Sequence, residues 1–132
     1  MVCVYCAHQT QVINSRHQKK ANQVWRRRKC TQCQAIFTTI EATDTSQALR
    51  IRRKTHLEPF SRDTLLFSVY DSLKHRQTAS TDASSLTTTV LGLLYPLAVE
   101  AVIEREVVVE LVSQVLKRFD KAAAVHYQAF HP

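Results

Sequence analysis

Apolar residues in the first third of the chain come in short groups separated by polar turns, a pattern that favours β-strands. Val12-Ile13 and Val24-Trp25 lie on either side of the polar segment 18–22, and residues 37–40 form a further β-prone run. We therefore expect a small antiparallel sheet in this region. Trp25 could stack on a nucleobase, but in so small a module we expect it to be the main core residue.

The pattern changes at residues 43–47, which are polar and predict a linker. The expected domains are therefore residues 1–46 and residues 47–132. At the start of the second domain, residues 49–51 predict a strand and residues 57–60 a strand that returns beside it.

Apolar residues then repeat at the three- and four-residue spacing of helices. Leu65, Leu66, Val69 and Leu73 share one face, and Ser61 is expected to cap this helix, which continues to about residue 75. The other expected elements are a polar loop over 77–85, a helix over 86–102 that is kinked or interrupted at Pro96, a helix from Glu106 to about Phe119, and a short helix over 122–130. The β-branched residues 107–109 leave a strand open as an alternative at the third helix. The fold class predicted for the whole chain is α+β.

The chain has four cysteines, and their two Cys-x-x-Cys pairs indicate a metal site. Cys3 and Cys6 form the first pair, and Cys30 and Cys33 form the second. A two-residue gap lets one tight turn aim both thiolates at a single point, and two such turns complete a tetrahedral site that suits Zn²⁺. Because cysteines fill all four positions, we expect a structural zinc and not a catalytic one with an open water position.

Two other uses of the cysteines stay open at this point. Disulfide bonds would imply an oxidising compartment, but a candidate ligand follows Met1 within two residues and no signal peptide is visible. A redox motif of the thioredoxin kind would place one Cys-x-x-Cys at the start of a helix. We therefore expect metal-binding cysteines and a cytoplasmic location, without a membrane partner, because no apolar run approaches the ~18 residues of a membrane helix.

Positive charge is concentrated in the first part of the chain. Residues 1–54 contain 11 Lys and Arg against 2 Asp and Glu, whereas residues 55–132 contain 7 against 9. Such a basic region is typical of nucleic-acid-binding proteins, although a charge run is often only a solvated face. The four consecutive basic residues 26–29, directly before the third cysteine, favour nucleic acid.

Seven short motifs occur in a single order along the chain. They are Cys3-Val-Tyr-Cys6, Thr10-Gln-Val-Ile-Asn-Ser-Arg16, Arg26-Arg-Arg-Lys-Cys30, Phe37-Thr-Thr-Ile-Glu41, Glu58-Pro-Phe60, Glu104-Arg-Glu-Val107 and Asp120-Lys121. In this order they resemble the NrdR family, the zinc-ribbon plus ATP-cone repressors of ribonucleotide reductase genes. The resemblance covers almost the whole chain, which looks like a divergent member.

The resemblance implies an N-terminal zinc ribbon that binds double-stranded DNA, followed by an ATP-cone-like domain, which is a β-hairpin packed on a helical bundle. ATP or dATP would bind the cone, change the state of a homo-oligomer and thereby change its DNA affinity. By position, the resemblance assigns zinc to Cys3, Cys6, Cys30 and Cys33, DNA to Arg16, Arg26, Arg27, Arg28 and Lys29, and nucleotide to Ile51, Arg52, Arg53, Lys54 and Glu58.

The chain departs from the family pattern at several turns. Ala7 and Gln34 stand after the second cysteine of each pair, where many ribbons have glycine because a positive φ is needed. Lys54-Thr55 stands where family members commonly have a turn such as Asp-Gly, and Thr64 stands where a lysine is usual. A second function is therefore a zinc-ribbon nucleic-acid-binding protein whose degenerate cone only forms oligomers and senses no nucleotide.

An enzyme such as a nuclease or a zinc deaminase is not expected. The chain has neither a His-x-Glu before a cysteine pair nor a Walker glycine loop, and no paired carboxylates lie in a basic setting.

Overall fold

The computed structural model describes residues 1–131 and divides into two compact units. The first unit is Met1–Thr43, and the second begins at Asp44. Both contain a three-stranded sheet, but only the second adds long helices. The predicted α+β class is confirmed.

The first unit is an antiparallel sheet in which the middle strand carries most of the charge. Its strands are β1 (Thr10–Gln18), β2 (Gln23–Cys30) and β3 (Ile36–Ala42), in the order β1-β2-β3. The register pairs Trp25 of β2 with Arg16 of β1 and with Ile40 of β3. Because β2 is central, its side chains lie in the middle of both sheet faces.

The first unit has almost no apolar core. Among its described residues, the only buried apolar side chains are those of Cys3 and Cys30. The expectation that Trp25 forms the core is wrong, because this side chain is 41% exposed. A single three-stranded sheet without a covering helix cannot enclose a large ring. The stability of this unit must therefore come from something other than side-chain packing.

The second unit begins with a small mixed sheet. Strands β4 (Arg50–Arg53) and β5 (His56–Pro59) form the expected hairpin, with Lys54-Thr55 as its turn. A third strand, β6 (Val102–Glu104), pairs with β4 in parallel, so the sheet order is β5-β4-β6.

Five α-helices complete the second unit as far as residue 131. They are α1 (Thr45–Ala48), α2 (Arg62–Leu73), α3 (Ala79–Leu94), α4 (Arg105–Phe119) and α5 (Lys121–Phe130). Helices α2, α3 and α4 each contribute two fully buried aliphatic residues to one core. These residues, with Leu49 before β4, are Val69, Leu73, Val90, Leu94, Val112 and Leu116. Within residues 1–131, no helix combines the length and the apolar character that crossing a bilayer requires.

Three helices begin at a side-chain cap. The Ser61 hydroxyl accepts a hydrogen bond from the Thr64 N–H at 3.1 Å, which confirms the predicted start of α2. Asp120 caps α5 by accepting from the Ala123 N–H at 3.1 Å. Asp44 caps the short helix α1, so residues 45–47 of the predicted linker are helical, although the two units do divide inside it, between Thr43 and Asp44.

One further prediction about the helical region is wrong, and the structure decides two alternatives. The segment 77–85 is not a loop, because α3 begins at Ala79 and buries Ala79, Ala83 and Thr87 at helical spacing. The helix predicted over 86–102 is interrupted at Pro96 and not kinked: α3 ends at Leu94, because Pro96 cannot continue the backbone hydrogen bonds. Residues 107–109 lie in α4, so the strand left open there does not form.

Candidate metal centre and ligand surfaces

The two cysteine pairs lie in turns at one end of the first sheet. Cys30 ends β2, and its backbone N–H donates to the Ala35 carbonyl at 2.9 Å. In the same turn, the backbone N–H groups of Gln32 and Cys33 point at the Cys30 Sγ, at 3.3 and 3.4 Å. The first turn repeats this arrangement, with the Tyr5 N–H 3.5 Å from the Cys3 Sγ. Each turn thus orients a sulfur through backbone donors.

The four sulfur atoms have the spacing of a metal site. Cys3 Sγ lies 3.7 Å from Cys33 Sγ, and Cys6 Sγ lies 3.5 Å from Cys30 Sγ. All four sulfurs lie within 4.8 Å of one another. A disulfide requires about 2.05 Å between sulfurs, whereas a tetrahedron with Zn–S bonds of about 2.3 Å has edges of about 3.8 Å. The donor set and its spacing therefore fit Zn²⁺ and do not fit disulfide bonds.

The backbone after each cysteine pair adopts the predicted left-handed conformation. Ala7 has a φ of 59° and Gln34 a φ of 62°. A residue with a Cβ in this region is less stable than glycine by about 1 kcal/mol. Gln34 offsets part of this cost, because its side-chain amide donates to the Thr31 carbonyl at 3.0 Å. Ala7 has no such side-chain donor.

The pKa values of Cys30 and Cys33 are displaced in opposite directions. Burial disfavours the Cys30 thiolate, but the N–H groups of Cys33 and Gln32 outweigh it and lower the pKa of this thiol to about 6. The Ala35 N–H favours ionisation of Cys33, yet hydrogen bonds with the neighbouring sulfurs raise its pKa to about 12. Four crowded sulfurs cannot all carry negative charge unless a cation lies among them.

The five basic residues assigned to DNA lie on two opposite faces of the first sheet. Since strand side chains alternate, Arg27 and Lys29 share a face with Trp25, whereas Arg26 and Arg28 share the other. Arg16 pairs directly with Trp25 and joins the first face. We call the face with Trp25, Arg16, Arg27 and Lys29 the tryptophan face.

The two faces differ in how their cations are engaged. The guanidinium group of Arg26 forms an ion pair with Glu41 at 2.8 Å, and Arg28 donates to the Thr39 hydroxyl at 3.1 Å. By contrast, no side-chain hydrogen bond or ion pair within residues 1–131 involves Arg16, Arg27 or Lys29. The tryptophan face is therefore the one with cations available to an external anion.

The second unit contains a cavity of about 720 Å³ between its hairpin and its helices. Of the five residues assigned to a nucleotide, Ile51, Arg53 and Glu58 line the cavity. Arg52 and Lys54 do not line it. The guanidinium group of Arg52 donates to Glu104 at 2.9 Å, and Lys54 occupies the hairpin turn with a φ of 53°. Alternation along β4 thus sends the consecutive arginines to different sides of the sheet.

The cavity also has residues that the sequence reasoning missed. Arg105 lies at the N-terminus of α4, and Ser61 caps the N-terminus of α2, so two helix N-termini border the cavity. Arg105 belongs to the motif Glu104-Arg-Glu-Val107, which was the signal that could have found it. The other missed lining residues are His56, Pro59, Phe60, Thr64, Leu65, Ser68, Val108, Val109, Tyr127 and His131.

Known proteins resemble this chain in both units. The family described as "Transcriptional repressor NrdR-like, N-terminal domain" matches residues 1–41. A protein named Transcriptional repressor NrdR from Phenylobacterium zucineum (strain HLK1) is 30% identical over 132 residues, which are 99% of this chain and 84% of that protein. A protein of the same name from Streptococcus pyogenes serotype M5 (strain Manfredo) is 37% identical over 87 residues, 65% of this chain and 53% of that protein.

Proposed function

The chain belongs to the NrdR family of transcriptional repressors, and from this premise we propose that it binds double-stranded DNA through its first unit under the control of a nucleotide bound by its second. The observation that carries the proposal is the group of four cysteine sulfurs at the end of a sheet whose exposed face has unpaired cations. Ribonucleotide reductase genes are the targets that the family resemblance suggests.

The role we propose for zinc is structural. Cys3, Cys6, Cys30 and Cys33 would hold one Zn²⁺ and so fix the turns at the end of the sheet. Because the first unit buries so little apolar surface, metal binding would supply much of its folding free energy. The ion has four protein ligands in this arrangement, which leaves no position for a reacting water.

The DNA surface that we propose is the tryptophan face. Arg16, Arg27 and Lys29 would bind phosphates, because these cations have no partner among the described side chains. Arg26 and Arg28 would contribute less, since their hydrogen bonds to Glu41 and Thr39 would have to break first. Binding through phosphates releases counterions, so affinity is expected to fall steeply with salt.

The nucleotide site that we propose is the cavity of the second unit. Its volume lies within the range of roughly 300–1,000 Å³ that small ligands occupy. Ile51, Phe60 and Tyr127 offer apolar surface for a base, and Arg105 offers charge for phosphates. Arg53 would add charge only after its ion pair with Glu58 breaks. The N-termini of α2 and α4 add backbone N–H groups and positive dipole ends to the same cavity. These features together support an adenine nucleotide, ATP or dATP, as the effector.

Control of DNA binding would require two packings of a homo-oligomer with different nucleotide affinity. Large apolar side chains that remain exposed on the second unit support self-association. They include Phe67, Val99, Val125 and Phe130. Such a repressor would act in the cytoplasm, where the DNA and the nucleotides are available.

Calorimetry of the zinc-loaded protein with ATP and dATP, combined with gel-shift assays on duplex DNA, tests this proposal. Arg105→Ala is expected to weaken nucleotide binding at least 10-fold without changing the zinc content, whereas Arg118→Ala, a basic residue of α4 that does not line the cavity, is the matched control. DNA binding without nucleotide binding would select the second function, in which the cone only forms oligomers. Failure of the zinc-loaded protein to bind any DNA would end the proposal.

A further inference from the structure

Trp25 is the only tryptophan of the chain, and it projects from the middle of an exposed sheet face. Its side chain is 41% exposed, whereas the tryptophan of a small domain is usually buried. The covered part of the ring packs against its cross-strand neighbours, but two-fifths of its surface stays in water at the centre of a basic face. We therefore look for a ligand that would cover the exposed part of the ring.

The surroundings of Trp25 are polar and cationic. A hollow of about 200 Å³ lies beside the ring, and its lining combines Trp25 with Asn14, Arg16, Arg27 and Thr38. Arg16 is the direct cross-strand neighbour of Trp25, and Arg27 follows it on the same face of β2. Two cations and two hydrogen-bonding side chains thus surround one aromatic wall.

The ring of Trp25 is not engaged by another ring or by a cation of the protein. In the part of the chain that the structure describes, the one cation–π contact joins Arg76 to Phe119, and the aromatic pairs do not include Trp25. Arg16 and Arg27 therefore remain free for phosphates while the indole remains free for a planar group. Duplex DNA offers both groups, because a phosphate flanks every base and a base step that is partly unstacked exposes a planar face to an inserted side chain.

We propose that the indole of Trp25 inserts at a base step of the bound duplex and stacks on the base exposed there, while Arg16 and Arg27 hold the adjoining phosphates. This inference rests on the proposed function and adds a base-contacting residue to it. Asn14 and Thr38, at the wall of the hollow, are the side chains able to hydrogen-bond the edge of that base. Through the base contact, Trp25 would influence which DNA sites the protein prefers. Through the phosphate contacts, the two arginines would set how steeply its DNA affinity falls with salt.

The first test uses the fluorescence of the unmodified protein. Because Trp25 is the sole tryptophan, its emission reports on this one position. Titration with DNA is expected to quench the emission, with the same midpoint as a gel-shift titration. Unchanged emission at DNA concentrations that saturate the gel shift would overturn the inference.

The second test separates a base contact from a phosphate contact. Trp25→Ala is expected to weaken DNA binding between about 5-fold and 150-fold, the range that loss of one stacked base corresponds to. The slope of log affinity against log salt should stay unchanged, because no phosphate contact is lost. Ile40→Ala is the matched control, since Ile40 is the apolar cross-strand neighbour of Trp25 on the same face but has no planar ring. Ile40→Ala is expected to change affinity less than 3-fold.

The third test locates the base. Single abasic positions are scanned across the binding site with the wild-type protein and with Trp25→Ala. At one position, removal of the base is expected to weaken the wild type but to leave Trp25→Ala unaffected, as in a double-mutant cycle. Additive losses at every position would overturn the inference.

Trp25→Phe keeps the test decisive if Trp25→Ala fails to fold, because phenylalanine retains a ring that stacks. Its zinc content and its DNA affinity are expected to stay within about 3-fold of the wild type. If the wild type binds DNA and Trp25→Ala, with full zinc content, binds equally well, the stacking inference is wrong and the proposed function stands. If the wild type binds no DNA, both fall.

Discussion

Replacement of Arg27 by alanine tests whether the tryptophan face is the surface that meets DNA. Arg16, Arg27 and Lys29 are the three cations of that face without a side-chain partner among the described residues. Each phosphate contact lowers the slope of log affinity against log salt by about 0.9, so three contacts per subunit predict a slope near −2.7. Arg27→Ala removes one contact and should give a slope near −1.8 per subunit.

The expected difference is large enough to measure. Between 50 and 200 mM salt, affinity per subunit should fall about 40-fold for the wild type but only about 12-fold for Arg27→Ala, by the same slopes. Arg26→Ala is the matched control, because Arg26 is the neighbouring arginine on the opposite face and is paired with Glu41. It should leave the slope near −2.7 and lower the free energy of unfolding by no more than about 1 kcal/mol, the usual range for an exposed ion pair.

Fluorescence anisotropy with a labelled duplex, repeated at four or more salt concentrations, gives both slopes. Equal slope changes for Arg26→Ala and Arg27→Ala would refute the reasoning, because the paired arginine would then contact phosphate as readily as the free one. A slope near −4.5 for the wild type would instead mean that all five assigned basic residues reach DNA.

Removing zinc with a chelator, or replacing Cys30 by serine, should unfold residues 1–43. The second unit should stay folded, because the apolar core lies there. Amide NMR signals that stay dispersed throughout the first unit would contradict this prediction. Ala7→Gly should raise the free energy of unfolding of the first unit by about 1 kcal/mol, because Ala7 has a φ of 59°, which glycine adopts more easily. Ala83→Gly in α3 should instead destabilise the second unit by a similar amount. Denaturant titration measures both changes. The hydrogen bond from His75, with the Ala123 N–H, lowers the pKa of Asp120 from 3.8 to about 2. Its stabilising contribution is therefore complete above about pH 5 and is lost as the pH falls through 3.8 toward 2. Asp120→Asn should remove that part of the acid sensitivity in thermal unfolding, and an unchanged acid profile would refute the assignment.

The features that depend on local sequence were predictable. Cys-x-x-Cys spacing determines where two sulfurs point, and the structure places all four within 4.8 Å. The start of α2 at Ser61 and the positive φ values at Ala7 and Gln34 are also local properties of the chain. Each can be argued from a few neighbouring residues.

The features that depend on distant parts of the chain were not predictable in the same way. Whether Trp25 is buried depends on whether a second layer covers its sheet face, and composition does not encode this. The start of α3 resembled a loop because it is rich in serine and threonine, yet Ala79 and Ala83 pack against the core there. Small residues allow close helix packing without showing an apolar stripe.

The basic run 26–29 is divided between two faces of the first sheet. The two-residue period of a strand requires Arg26 and Arg27 to face opposite ways, so the sequence alone already predicts this division. The same alternation separates Arg52 from Arg53 in β4. A run of basic residues in a strand should therefore be interpreted as two half-runs.

The near absence of a core in the first unit has a consequence for how this protein can evolve. When four sulfurs and a metal hold a module together, few of its other side chains are constrained by packing. Substitutions on its outer surface then change stability little, so new target preferences can arise without loss of the fold. The surface residues of the first unit can therefore be substituted with little effect on its fold. The buried aliphatic residues of the helical unit tolerate far fewer substitutions.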